Sequence, residues 1–63
     1  MNRIQAYRKQ RKWTQKELAD RLGVERSAVA KWESGKSQPQ AVRLVALAEI
    51  FGCTVDEILG RGK

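Results

Sequence analysis

On a helical wheel at about 100° per residue, Arg26, Ser27, Ala30, Lys31 and Ser34 fall on one arc. Small side chains occupy the middle of that arc, and long multi-donor cations stand at its margins. Such a surface approaches a flat edge closely while Arg26 and Lys31 reach for acceptors. The major-groove edge of guanine offers two adjacent acceptors, O6 and N7, to such a cation. A solvated helix face has the same composition, so the arc alone leaves both readings open. No other residue set offers chemistry as well defined. The chain has no His, one Cys, no Gly-rich phosphate loop and no Ser or Asp arrangement with a base, which argues against an enzyme. The same counts exclude a Cys/His metal site, and nothing in the sequence calls for a cofactor or a small-molecule ligand.

The flanking residues predict how the arc is held. In residues 15–34, QKELADRLGVERSAVAKWES, Leu18, Ala19 and Leu22 share one helix face. Gly23 follows where a helix stops in a left-handed conformation that Gly adopts cheaply. Val24, Val29 and Trp32 supply a second apolar set, and the small Ala19 lets the second helix cross close over the first. This is the spacing of a helix-turn-helix, whose second helix commonly lies in the DNA major groove.

Around this pair the sequence predicts an all-α chain of five helices. The first covers residues 3–10, with Asn2 as its N-cap and Ile4 and Tyr7 facing the core. The second starts after Thr14, where Thr14-x-x-Glu17 forms a capping box, and the third covers residues 26–33. The fourth spans residues 40–51 between Pro39 and Gly52; the fifth follows a second capping box, Thr54-x-x-Glu57. Residues 1–60 make one domain, and the glycine-rich end, residues 60–63, is expected to be disordered. Trp13 reads as a hydrophobic staple and Trp32 as core, in preference to base stacking. Cys53 reads as a small buried residue.

The fourth helix breaks the amphipathic rule. Ala41, Leu44, Leu47, Ala48 and Phe51 make its core stripe, and Val45 is read as core beside them. Val42, Ala46 and Ile50 are apolar on the remaining faces and form a candidate surface for a symmetric homodimer.

Charge divides the chain. Of 63 residues, the first 36 hold ten Lys or Arg against Glu17, Asp20, Glu25 and Glu33, which accounts for the whole formal charge of +6. A polyanion partner explains that bias; a basic surface that aids solubility is the plainer alternative. Lys9, Arg11 and Lys12 either steer DNA or are simply solvated. The opening residues MNRIQAYRKQ contain no apolar stretch of signal-peptide length, no segment approaches a membrane span, and the lone Cys53 suits a reducing cytoplasm.

Residues 4–60 resemble the Cro and lambda-repressor-like helix-turn-helix family, also called the xenobiotic-response-element family. The likeness is carried by Thr14-Gln15, Glu17-Leu18-Ala19, Leu22-Gly23-Val24, Glu33-x-Gly35-x-x-x-Pro39, Leu47-Ala48 and the ending TVDEILG, residues 54–60. The resemblance implies a compact five-helix bundle acting as a dimeric transcription regulator, usually a repressor, on near-palindromic operators of double-stranded DNA. It implies a bacterial or phage-encoded protein of the cytoplasm, associated with the nucleoid. By position it implies base reading by Arg26, Ser27 and Lys31, and contacts to the DNA backbone by Thr14, Gln15, Ser34 and Lys36. Arg8 and Glu33 match a partly buried ion pair that ties the first helix to the end of the third. Glu25 departs from the family's usual Ser or Thr, which caps a helix better. Its charge still favours the helix N-terminus, and a hydrogen bond to a cytosine amino group is its alternative role. Tyr7 also departs from the usual aliphatic residue, and reads as core with its hydroxyl at the surface. The rival functions are an antitoxin-like or adaptor module that uses the same fold to bind protein, and sequence-independent DNA binding.

Overall fold

Each of five helices places one aliphatic side chain at the centre: Ile4, Leu18, Val29, Leu47 and Ile58 are all fully buried. The helices are α1 (Ile4–Gln10), α2 (Gln15–Leu22), α3 (Arg26–Ser34), α4 (Ala41–Phe51) and α5 (Val55–Leu59). The computed structural model describes residues 2–61, and among them there is no strand. The expected disorder of Gly62 and Lys63 lies outside the described residues. Gly60, expected in that tail, instead caps α5 in the left-handed conformation, and the Arg61 N–H donates to the Asp56 carbonyl at 2.9 Å.

Local chemistry fixes the helix ends. The Thr14 N–H donates to Glu17 Oε1 at 2.7 Å and the Glu17 N–H donates to Thr14 Oγ1 at 3.0 Å, so the capping box starts α2 reciprocally. Thr54 and Glu57 do the same for α5. At α1 the cap position is Arg3, not Asn2, although the Ile4 N–H donates to Asn2 Oδ1 at 3.1 Å. Asn2 thus satisfies a free amide from one residue further out. Between α2 and α3 the chain turns on Gly23 at φ 72°, with no atom within 4 Å of where a Cβ would stand. The dihedral, and not crowding, demands glycine there.

Around the aliphatic centre, α2 and α3 make the most extensive helix contact, and Ala19 of α2 is buried. Tyr7 and Trp13 stack on Phe51 with ring centroids 5.3 and 6.0 Å apart, which closes the bundle where α1, the α1–α2 turn and α4 meet. Cys53 is half-buried, and burial pushes its thiol above the ordinary pKa.

Helix α4 corrects the expected core. Ala41 is exposed, and Val45 is 51% exposed beside Val42 at 66%. Ala46 and Ile50 are half-buried and pack against the core cluster. Helix α4 packs against α1, α2 and α5, and among the described residues Val42 and Val45 are left exposed. No helix among the described residues is long and apolar enough to cross a membrane.

Candidate nucleic-acid interface

Helix α3 has two unlike sides. Val29 and Trp32 are buried and Ala28 is half-buried against the bundle. Arg26, Ser27, Lys31 and Ser34 are exposed, with Ala30 half-buried among them. A short helix held from behind therefore offers donors outward. Its start is weakly capped, since Glu25 occupies the cap position without a side-chain hydrogen bond.

A chain of polar contacts connects this helix to α1 and α2. Arg8 Nε donates to Glu33 Oε2 at 2.6 Å and Arg8 Nη2 donates to Glu33 Oε1 at 3.1 Å. The two side chains are only 10% and 3% exposed. Arg8 Nη1 donates to the Trp13 carbonyl at 2.7 Å, so the guanidinium also pins the α1–α2 turn. From the other side, Gln15 Nε2 donates to Glu33 Oε1 at 3.0 Å, and Arg26 Nη1 donates to Gln15 Oε1 at 3.0 Å. Five residues from four parts of the chain are thus joined from Trp13 to Arg26. The charge-assisted bidentate pair at the centre is the strongest link.

The remaining expected backbone contacts differ in readiness. Thr14 Oγ1 accepts the Glu17 N–H, which leaves its own hydroxyl proton to donate. One N–H of the Gln15 amide is also left over, since Nε2 carries two. The Ser34 hydroxyl donates to the Lys31 carbonyl at 3.2 Å, so its proton is engaged within α3. Lys36 is exposed just beyond the Gly35 cap.

Several cations prove structural. Arg11 Nη2 donates to the Phe51 carbonyl at 2.9 Å, satisfying the end of α4, and Arg43 Nη1 does the same for Leu22 at 3.1 Å. The Arg21 guanidinium lies 4.1 Å from the Trp13 ring centroid, a cation–π contact. Lys16 and Asp20 form an exposed pair at 3.2 Å, of little energetic weight. Of the three basic residues with an open role, Arg11 is a clasp, whereas Lys9 and Lys12 are exposed. Asn2, read from sequence only as a helix cap, has a second role: its Nδ2 donates to the Trp32 carbonyl at 2.9 Å and ties the segment before α1 to α3. A carbonyl partner has no residue identity, so no pattern announces such contacts.

A helix-turn-helix family model matches residues 4–58. The chain is 40% identical to the HTH-type transcriptional regulator AnsR of Bacillus subtilis (strain 168), over 100% of the chain and 54% of that protein. It is also 40% identical to the HTH-type transcriptional activator BcrR of Enterococcus faecalis, over 90% of the chain and 28% of that protein. The chain therefore spans about half or less of these relatives' lengths. Among solved structures, it superposes with a TM-score of 0.88 and 33% identity on the P22 c2 repressor protein in complex with a synthetic operator. That match covers 95% of this chain and 91% of the other. From the family match, the five-helix architecture and this superposition together, the chain belongs to the helix-turn-helix family of the Cro and lambda-repressor type.

Proposed function

We propose that this chain is a sequence-specific binder of double-stranded DNA that regulates transcription, acting as a repressor by laying α3 in the major groove. The observation that carries this reading is the superposition, over nearly the whole chain, on a repressor solved with its operator. The exposed donors of α3 and the confinement of the net charge of +6 to residues 1–36 support it. In this reading Arg26, Ser27 and Lys31 read bases. Thr14, Gln15 and Lys36 contact phosphates, as does Ser34 once its hydroxyl turns from the Lys31 carbonyl, and the Arg8–Glu33 pair holds α1 and α3 in register. The protein works in the cytoplasm at the nucleoid, as a domain of residues 1–60, without catalytic activity.

Self-association follows from α4. Val42 and Val45 form an uncovered apolar strip flanked by the half-buried Ala46 and Ile50. A stable interface buries about 800 Å² per partner, far more than two valines supply. A homodimer through this strip therefore forms on DNA, where two adjacent half-sites raise the effective concentration.

Selection from random oligonucleotides tests the reading. The expected product is a near-palindromic motif with half-sites about 10 base pairs apart or a multiple of that. Recovery of unrelated sequences would refute specific recognition. A reporter carrying the selected site within its promoter should be repressed by the protein; activation, as the name of BcrR implies for that relative, would overturn the repressor assignment.

A further inference from the structure

We propose that Glu33, a buried carboxylate remote from the exposed face of α3, determines how Arg26 discriminates between base pairs, acting through the side-chain amide of Gln15. This rests on the DNA-binding reading above and deepens it.

The chemistry lies in the two ends of an amide. Gln15 can present either its carbonyl or its NH₂ group to Arg26, because a half-turn about the last side-chain bond exchanges them. Arg26 carries only donors, so one orientation makes a hydrogen bond and the other sets donor against donor. Glu33 decides between them. Its Oε1 accepts from Gln15 Nε2 at 3.0 Å, which leaves Gln15 Oε1 facing Arg26 Nη1, also at 3.0 Å. Arg8 donates two hydrogen bonds to the same carboxylate, which fixes its pose, and the Glu33 side chain is 3% exposed. The guanidinium of an otherwise exposed Arg26 is thereby held before any duplex arrives. A long side chain already held loses less freedom on binding, and its fork meets one base edge in a fixed pose. Gln15 is thus more than a phosphate contact, and Glu33 more than a stabilising charge; both are positioning residues for Arg26.

The test compares duplex binding by the full chain and its variants. The probe is the duplex recovered by oligonucleotide selection, with three versions that replace the base pair whose preference Arg26→Ala relaxes. Gln15→Met removes both amide ends and leaves the Arg8–Glu33 pair intact. Glu33→Met, made together with Arg8→Met so that no buried charge is stranded, removes the acceptor that orients the amide. Circular dichroism establishes that each variant folds; unchanged discrimination in the folded Arg8→Met/Glu33→Met variant overturns the role of Glu33, and unchanged discrimination in Gln15→Met overturns that of Gln15. Both folded variants should lower discrimination at that pair by about fivefold or more, the lower end of what one good base contact contributes. Discrimination at the pairs read by Ser27 and Lys31 should be unchanged. In an Arg26→Ala background, Gln15→Met should cause no further loss of discrimination. If Gln15→Met weakens all four duplexes by one common factor, Gln15 is a backbone contact alone and the proposal is overturned. If the wild-type chain itself fails to discriminate among the duplexes, it is the DNA-reading function that falls.

Discussion

Glu33 accepts three hydrogen bonds in a nearly dry position, two from Arg8 and one from Gln15. Breaking such a pair strands the surviving charge, which costs about 3–5 kcal/mol, even though the intact pair is weak grounds for net stability. Arg8→Ala should therefore lower the urea midpoint sharply, and an unchanged midpoint would mean the pair carries no structural weight. Lys12 lies at the other extreme. It adopts φ 60° at the end of α1, where the ends of the other four helices use Gly23, Gly35, Gly52 and Gly60. A side chain in that conformation costs about 1 kcal/mol or more, and Lys12 is exposed, so nothing in the core compensates. Lys12→Gly should raise unfolding free energy by about 1 kcal/mol in denaturant titration; a loss of stability would show that the lysine makes a favourable contact. The sequence could not announce this strain, because a lysine between Arg11 and Trp13 carries no signal of its dihedrals.

Among the elements, α2 and α3 were the most legible. Thr14, Glu17, Gly23 and the apolar positions Leu18, Ala19, Leu22, Val29 and Trp32 each act by local rules that hold whatever the rest of the chain does. Removing the cap by Thr14→Ala should cost about 1 kcal/mol of stability, read in thermal unfolding, and should weaken duplex binding as well. A loss of stability without a loss of affinity would limit Thr14 to capping. Helix α4 was the least legible, since periodicity reports which side chains are apolar and not which neighbours exist to cover them. Helical periodicity places Ala41 and Val45 inward, yet both are exposed in the bundle. The candidate site divides in the same way. Its exposed face on α3 follows from helical geometry, and the Arg8–Glu33 match came only through family resemblance. The link from Glu33 through Gln15 to Arg26 depends on the crossing of α2 over α3, which no spacing encodes.

At the scale of the whole molecule, charge and shape act together. The first 36 residues carry the entire net charge of +6, and they include both helices of the turn. Each neutralised phosphate releases counterions, so with about four phosphate contacts per subunit a bound dimer should show a log–log salt slope of about −7. Affinity indifferent to salt, measured by fluorescence anisotropy between low and physiological salt, would favour a protein partner over DNA. Val42→Glu on the uncovered strip should abolish cooperative filling of two half-sites while leaving binding to one half-site unchanged. The insertion of α3 into the major groove is tested most directly by following backbone amide resonances as a selected duplex is titrated in. The expected map concentrates movement in Arg26–Ser34 and at Thr14 and Gln15, with α5 unmoved. Movement confined to α4 and α5, with residues 26–31 still, would contradict it.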